Sequence, residues 1–179
     1  MFVGPRTGLD IVKIGGGISK VVWAMAQAKA NLVVAKDGSG HYKTVRSMLL
    51  RRGENTIITS GHSVGGGYTT YNSATAGIDG FHFLARDITF SNTAGPLKGQ
   101  AVALRSASDF SVFYRCAFQG YQDTLFVHSQ RQFYRECYIY GTIDSIFGNA
   151  AVVFQNCIIL VRRPLKGQAN VITAQDRNS

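Results

Sequence analysis

From about Thr56 onward, apolar residues fall in short runs broken by Gly, Asn and Asp. Ile57-Ile58-Thr59, Phe81-His82-Phe83-Leu84, Ile88-Thr89-Phe90, Ala101-Val102-Ala103-Leu104, Ser111-Val112-Phe113-Tyr114 and Ala151-Val152-Val153-Phe154 are typical. These runs are rich in β-branched and aromatic residues and show no helical period, so they predict short β-strands. The first 55 residues differ. Lys20 to Ala30 predicts one short helix anchored by Trp23, within an N-terminal extension over 1–31. Leu32-Val33-Val34-Ala35 then reads as a strand entering an Asp37-Gly38-Ser39-Gly40 turn, and Leu49 to Glu54 is a polar join.

The pattern also repeats. Cys116, Gly120, Asp123 and Phe126 recur at identical offsets as Cys137, Gly141, Asp144 and Phe147, 21 residues later. A Phe-Tyr-Arg lead-in precedes both copies, Phe113-Tyr114-Arg115 and Phe133-Tyr134-Arg135, one residue out of step. Short strands, scarce helices and this period predict an all-β solenoid, a parallel β-helix spanning 32–179, in which equivalent residues of successive coils stack. Asn92, Asn149 and Asn156 then read as asparagines stacked inside the coil.

Charge narrows the partners. The chain of 179 residues carries a net charge of +9, with a pI near 9.7, which suits a polyanion. No zinc-finger spacing, basic-region heptad or aromatic RNA-binding strand accompanies the charge, so nucleic acid is not expected. No apolar run approaches the ~20 residues of a membrane span. The N-terminus shows no charged start followed by an apolar stretch and a cleavage site, so no export signal is read. Cys116, Cys137 and Cys157 lie about one period apart. On stacked coils one disulfide between neighbours is feasible, and buried apolar thiols are equally compatible with the spacing. No Cys-x-x-Cys or His cluster suggests a metal.

Candidate chemistry centres on the repeated aspartates. Glu54 and Glu136 are the only glutamates, and of eight aspartates only Asp123 and Asp144 share a repeat offset among apolar and aromatic neighbours. Desolvation and a neighbouring carboxylate both raise a carboxyl pKa, and a pair split in this way can act as acid and nucleophile. Turn aspartates satisfying backbone amides would fit the same spacing. Gln100 and Gln122, 22 residues apart, could donate amide hydrogen bonds to a developing oxyanion, or form a glutamine ladder that satisfies itself. Gly61-His62-Ser63-Val64-Gly65 formally matches a nucleophile elbow with His128 downstream as base, but Gly65-Gly66-Gly67 makes a poor helix start, and a glycine-rich turn is the alternative.

Several blocks resemble plant pectin methylesterases: Ala35 to Gly40, Thr69 to Thr75, Phe83 to Phe90, Gln100 to Arg105, Gly120 to Leu125 and Asp144 to Asn149. The resemblance runs nearly unbroken from about Thr56 to Arg177 and implies a right-handed parallel β-helix. It implies Asp144 as nucleophile, Asp123 as acid and then base, and Gln122 with Gln100 as oxyanion donors. Thr70, Gln100, Tyr121 and Phe147 would touch substrate, and Cys137–Cys157 would be a disulfide that leaves Cys116 free. It further implies methyl-esterified homogalacturonan as substrate, no cofactor or metal, a cell-wall location, a monomer, and a proteinaceous inhibitor as a further partner. Ser145 departs from the family's phenylalanine and would remove an aromatic wall beside the nucleophile. The family's Gly-x-Tyr-x-Glu block is missing, and Ser179 precedes its Leu-Gly-Arg-Pro-Trp block. An incomplete helix with little or no turnover is therefore expected, a pectin- or inhibitor-binding form without turnover being the second reading.

Overall fold

A computed structural model describes residues 31–35 and 55–175. The expected Lys20–Ala30 helix, the 37–40 turn and the 49–54 join lie outside the described residues. β1 (Asn31–Ala35) pairs in parallel with β2 (Asn55–Ser60). Coils then follow with three strands each: β3 (Ala76–Phe81), β4 (Leu84–Arg86) and β5 (Ile88–Asn92), then β6 (Leu104–Asp109), β7 (Ser111–Tyr114) and β8 (Ala117–Gln119). The next coil holds β9 (Leu125–Val127), β10 (Arg131–Arg135) and β11 (Tyr138–Gly141). After it come β12 (Ile146–Phe147), β13 (Ala151–Gln155), β14 (Ile158–Val161) and finally β15 (Thr173–Ala174).

Strands at the same place in successive coils pair in parallel and build three sheets: β3-β6-β9-β12-β15, β4-β7-β10-β13 and β1-β2-β5-β8-β11-β14. This is the right-handed parallel β-helix. Parallel sheets need cover on their apolar face, and here each sheet covers the other two. Alternation decides which residues enter: Ile88, Phe90 and Asn92 of β5 are buried while Thr89 and Ser91 are less so. Leu104, Leu125 and Ile146 pair in sequence, 21 residues apart, so the sequence repeat is one turn of the coil.

Aromatic rings stack along the interior. Phe83 meets Phe113 at 5.2 Å, Phe113 meets Tyr134 at 4.6 Å, and Tyr134 meets Phe154 at 5.0 Å between ring centroids. Each such pair contributes about 0.5–1.5 kcal/mol beyond its buried area. The stack also explains the lead-in motif that is out of step. Coil register sets Phe113 opposite Tyr134, not opposite Phe133, which faces Val112. The hydroxyl of Tyr134 donates to Gln132 Oε1, and the amide of Gln132 donates to the carbonyls of Ser106 and Ser129, so these buried polar groups are satisfied.

The chain turns between sheets through left-handed residues. Asp87, Arg115, Glu136 and Asn156 have φ of 56°, 50°, 54° and 52° at one corner of successive coils. The backbone amide of each of the first three donates to the coil above, to Tyr114, Arg135 and Gln155, which keeps the ladder unbroken around the bend. Side chains reinforce this corner, where Arg115 donates twice to the Asp87 carboxylate at 2.7 and 2.8 Å. Asn92 is the one interior asparagine of the three expected: buried, it donates to the carbonyls of His62, Ser73 and Val102. Asn149 and Asn156 are exposed, because both lie on turns between strands rather than at inward strand positions.

Candidate active site

The outer face of the β3-β6-β9-β12-β15 sheet carries the site. Its register aligns one outward column: Gly77, Arg105, Phe126, Phe147 and Ala174. Residue size along the column has a steric cause. Arg105 lies over Gly77, where a Cβ would come within 2.6 Å of its guanidinium, so the glycine makes room. Arg105 donates to both oxygens of Asp79 at 2.8 and 3.0 Å and sits 4.0 Å from the centroid of the Tyr71 ring. Phe126 and Phe147 stack at 4.3 Å to form a flat aromatic shelf. His128 caps the shelf edge-on, 5.0 Å from Phe126, and meets Tyr71 at 5.6 Å.

Beside this shelf lies an open groove of about 610 Å³, lined in part by Asp144, Phe147, Phe126, His128 and Asn149. Asp144 and Asp123 stand two residues before paired strand positions of adjacent coils, both in left-handed conformation with φ of 47° and 61°. The Asp123 amide donates to the Ile143 carbonyl at 2.9 Å, which ties the two turns together. Paired strands are spaced ~4.8 Å apart, so the two aspartate backbones are next neighbours along the helix axis.

The environments of the two carboxyls differ. Asp144 borders the groove, whereas Asp123 is 8% exposed and its Oδ1 has no hydrogen-bond partner among the described residues. Burial, and then the negative charge of Asp144, push the Asp123 carboxyl up from 3.8 to about 7. An Asp123 that holds a proton near neutrality beside an anionic neighbour can donate that proton to a leaving group.

Gln100 and Gln122 form an isolated parallel bridge one coil back, and the Ala101 amide donates to the Gln122 carbonyl at 3.1 Å. Both glutamines are half-buried, and Gln122 immediately precedes Asp123. Thr70 precedes the short turn Tyr71–Ser73, which brings the Tyr71 ring to His128; its carbonyl accepts from Ser73 Oγ at 2.7 Å. The Tyr121 ring is covered by the Arg162 guanidinium at 4.7 Å.

The structure places three further positions. Ser145 points away from the groove that Asp144 borders. It is fully buried, packed on Gly141 and Thr124, so the aromatic shelf is intact without a phenylalanine there. Ser63 is 1% exposed in a glycine turn, and His62 stacks on Tyr68 at 4.2 Å, so no nucleophile elbow forms. Cys137 and Cys157, expected as a disulfide, are free thiols on adjacent coils, as is Cys116, and their sulfurs donate to backbone carbonyls.

Residues 47–179 match the pectinesterase family model. The chain belongs to the pectinesterase family. It is 61% identical to the Arabidopsis thaliana protein named Probable pectinesterase/pectinesterase inhibitor 59, over 83% of this chain and 35% of that protein. It is 53% identical to Pectinesterase 2 of Citrus sinensis over 83% of this chain and 36% of that one. The chain thus spans about a third of the length of these relatives. Among solved structures, carrot pectin methylesterase superposes with a TM-score of 0.69 at 45% identity, covering 87% of this chain and 60% of the other. An Aspergillus niger pectin methylesterase superposes with a TM-score of 0.65 at 26% identity, covering 88% of this chain and 64% of the other.

His128, expected only as a base for Ser63, and Asn149, expected inside the coil, both line the Asp144 groove. The signal was available for His128. It lies two residues beyond Phe126, on the same outward side of the strand.

Proposed function

We propose that this chain carries the chemistry of a pectinesterase, hydrolysing methyl esters of homogalacturonan to free carboxylate and methanol. The observation that carries this reading is the asymmetric carboxyl pair: Asp123 buried and raised to about 7, Asp144 opening on a groove with an aromatic shelf. A sugar ring stacks readily on such a shelf, and Phe147 supplies one of its two faces. In the proposed reaction Asp144 attacks the ester carbonyl carbon, and the amides of Gln100 and Gln122 hold the oxyanion. Collapse of the intermediate breaks the bond to methoxide, which leaves with the proton of Asp123 as methanol. Asp123, now a carboxylate, takes a proton from water, and the hydroxide attacks the acyl–Asp144 anhydride. Collapse expels the Asp144 carboxylate, the product acid releases its proton to solvent and departs as a carboxylate, and both aspartates are back in their starting state.

The product is a polyanion, which suits the net charge of +9. We place the enzyme in the plant cell wall, with Thr70 and Tyr121 contacting flanking sugars and a proteinaceous inhibitor as a second partner. The test is methanol release from methyl-esterified pectin by the full chain and by Asp144→Asn. Release that falls at least ~10³-fold in the variant supports the reading. Absence of release from the parent chain, or equal release from both, overturns it.

A further inference from the structure

The three cysteines occupy one position in three successive coils. Each directly follows the left-handed corner residue, Arg115, Glu136 or Asn156, and directly precedes a strand of the same sheet. Register makes Cys116, Cys137 and Cys157 consecutive rungs, since Ala117 pairs with Tyr138 and Tyr138 with Ile158. The Tyr138 amide donates to the Cys116 carbonyl and the Ile158 amide to the Cys137 carbonyl, both at 2.9 Å. Rungs ~4.8 Å apart fall inside the Cα range of roughly 4.4–6.8 Å that a disulfide spans, so both neighbours of Cys137 are within bonding reach. The Cys137 thiol donates to the carbonyls of Phe113 and Arg135, both at 3.4 Å, and the Cys157 thiol to that of Tyr134 at 3.5 Å.

Stacking along the helix axis places the sulfurs in a row, with Cys137 in the middle. Thiol–disulfide exchange needs this arrangement: an attacking thiolate, a central sulfur and a leaving sulfur in line. Access differs along the row. Cys116 is fully buried, Cys137 is covered, and Cys157 is partly exposed on the outer described coil.

We propose that Cys137 is the hub of a thiol–disulfide exchange site, bonding to Cys157 in one isomer and to Cys116 in the other. The co-reactant is a low-molecular-weight disulfide of the glutathione class. The Cys157 thiolate attacks one sulfur of that disulfide and expels one thiol, leaving a mixed disulfide. The Cys137 thiolate displaces the second thiol and forms Cys137–Cys157; the chain has lost two electrons and two protons, and the small disulfide has become two thiols. Attack by the Cys116 thiolate on the Cys137 sulfur then forms Cys116–Cys137 and releases Cys157 as a thiol, with no net redox change.

The neighbouring groups order these steps in time. The Cys116 thiol partner lowers the Cys137 thiol below its usual range, while burial holds Cys116 well above it, so the last step is the slow one. The isomers differ in what they present. Cys137–Cys157 staples the outer coil, and Cys116–Cys137 leaves a reactive, partly exposed thiol at Cys157.

The reduced full chain is equilibrated with mixtures of reduced and oxidised glutathione, quenched in acid, alkylated and mapped by peptide mass spectrometry. Both disulfides are expected in the parent protein, the Cys116–Cys137 form appearing later. Cys116→Ser should yield Cys137–Cys157 alone, and Cys137→Ser no internal disulfide. A parent protein that forms only Cys137–Cys157 across the whole range, or a Cys137→Ser protein that still forms an internal disulfide, overturns the proposal. The readout is independent of esterase activity, so it stands or falls separately from the proposed function.

Discussion

Replacing Asp123 by asparagine keeps the shape of the side chain and removes its charge. In the folded protein, burial and the negative charge of Asp144 raise this carboxyl to about 7, against 3.8 ordinarily. Between those values the unfolded chain has released the proton while the folded chain holds it. Stability therefore falls as pH rises through the window from about 4 to about 7, and levels off above it. At about 1.36 kcal/mol per pKa unit, the parent loses about 4 kcal/mol across this window through Asp123 alone. The substituted amide has no proton to lose, and any fixed cost of burying it is the same at every pH. Urea unfolding of parent and Asp123→Asn at pH values of about 4.5, 6 and 8 should show the variant gaining on the parent as pH rises, by about 3 kcal/mol between the first and the last. A difference that stays constant across this range refutes the raised pKa, and with it the assignment of Asp123 as proton donor. Asp144→Asn should narrow the window, since it removes the second cause and leaves burial.

Two further outcomes test the scaffold around the site. Phe113→Ala removes the central ring between Phe83 and Tyr134 and should cost about 3–5 kcal/mol in urea unfolding; a loss under ~1 kcal/mol would show that the stack is not continuous. Gly148 has φ of 121°, and a Cβ there would collide with the Val127 carbonyl. Gly148→Ala should therefore destabilise by more than ~2 kcal/mol and distort the groove beside Asp144. A variant with parental stability and parental pectin retention would contradict that placement.

The repeat was legible because a coil forces equal spacing on everything that stacks. Offsets of 21 residues in the sequence became the register of Leu104, Leu125 and Ile146, and they also set Asp123 beside Asp144. Direction was less legible. Ser145 follows Asp144 in sequence, yet its side chain enters the coil while Asp144 faces the groove, and only the turn geometry decides between them. Asn149 looked like an interior ladder residue because Asn92 is one, but Asn92 ends a strand on an inward position and Asn149 lies on a turn. Composition offers no cue to the left-handed corners either, which are occupied by residues as different as Arg115, Phe110 and Gln130.

Coil length and strand register are decoupled in this molecule. Leu104 follows its partner Ala76 by 28 positions and precedes its partner Leu125 by 21, yet both pairings belong to one sheet. Surplus residues leave the solenoid at its corners and the rungs do not notice. The spacing between the two aspartate backbones is consequently quantised: one rung, ~4.8 Å, or two, and nothing between. Insertions in the loops can reshape the groove walls, while the spacing of the Asp123 and Asp144 backbones stays fixed by the sheet.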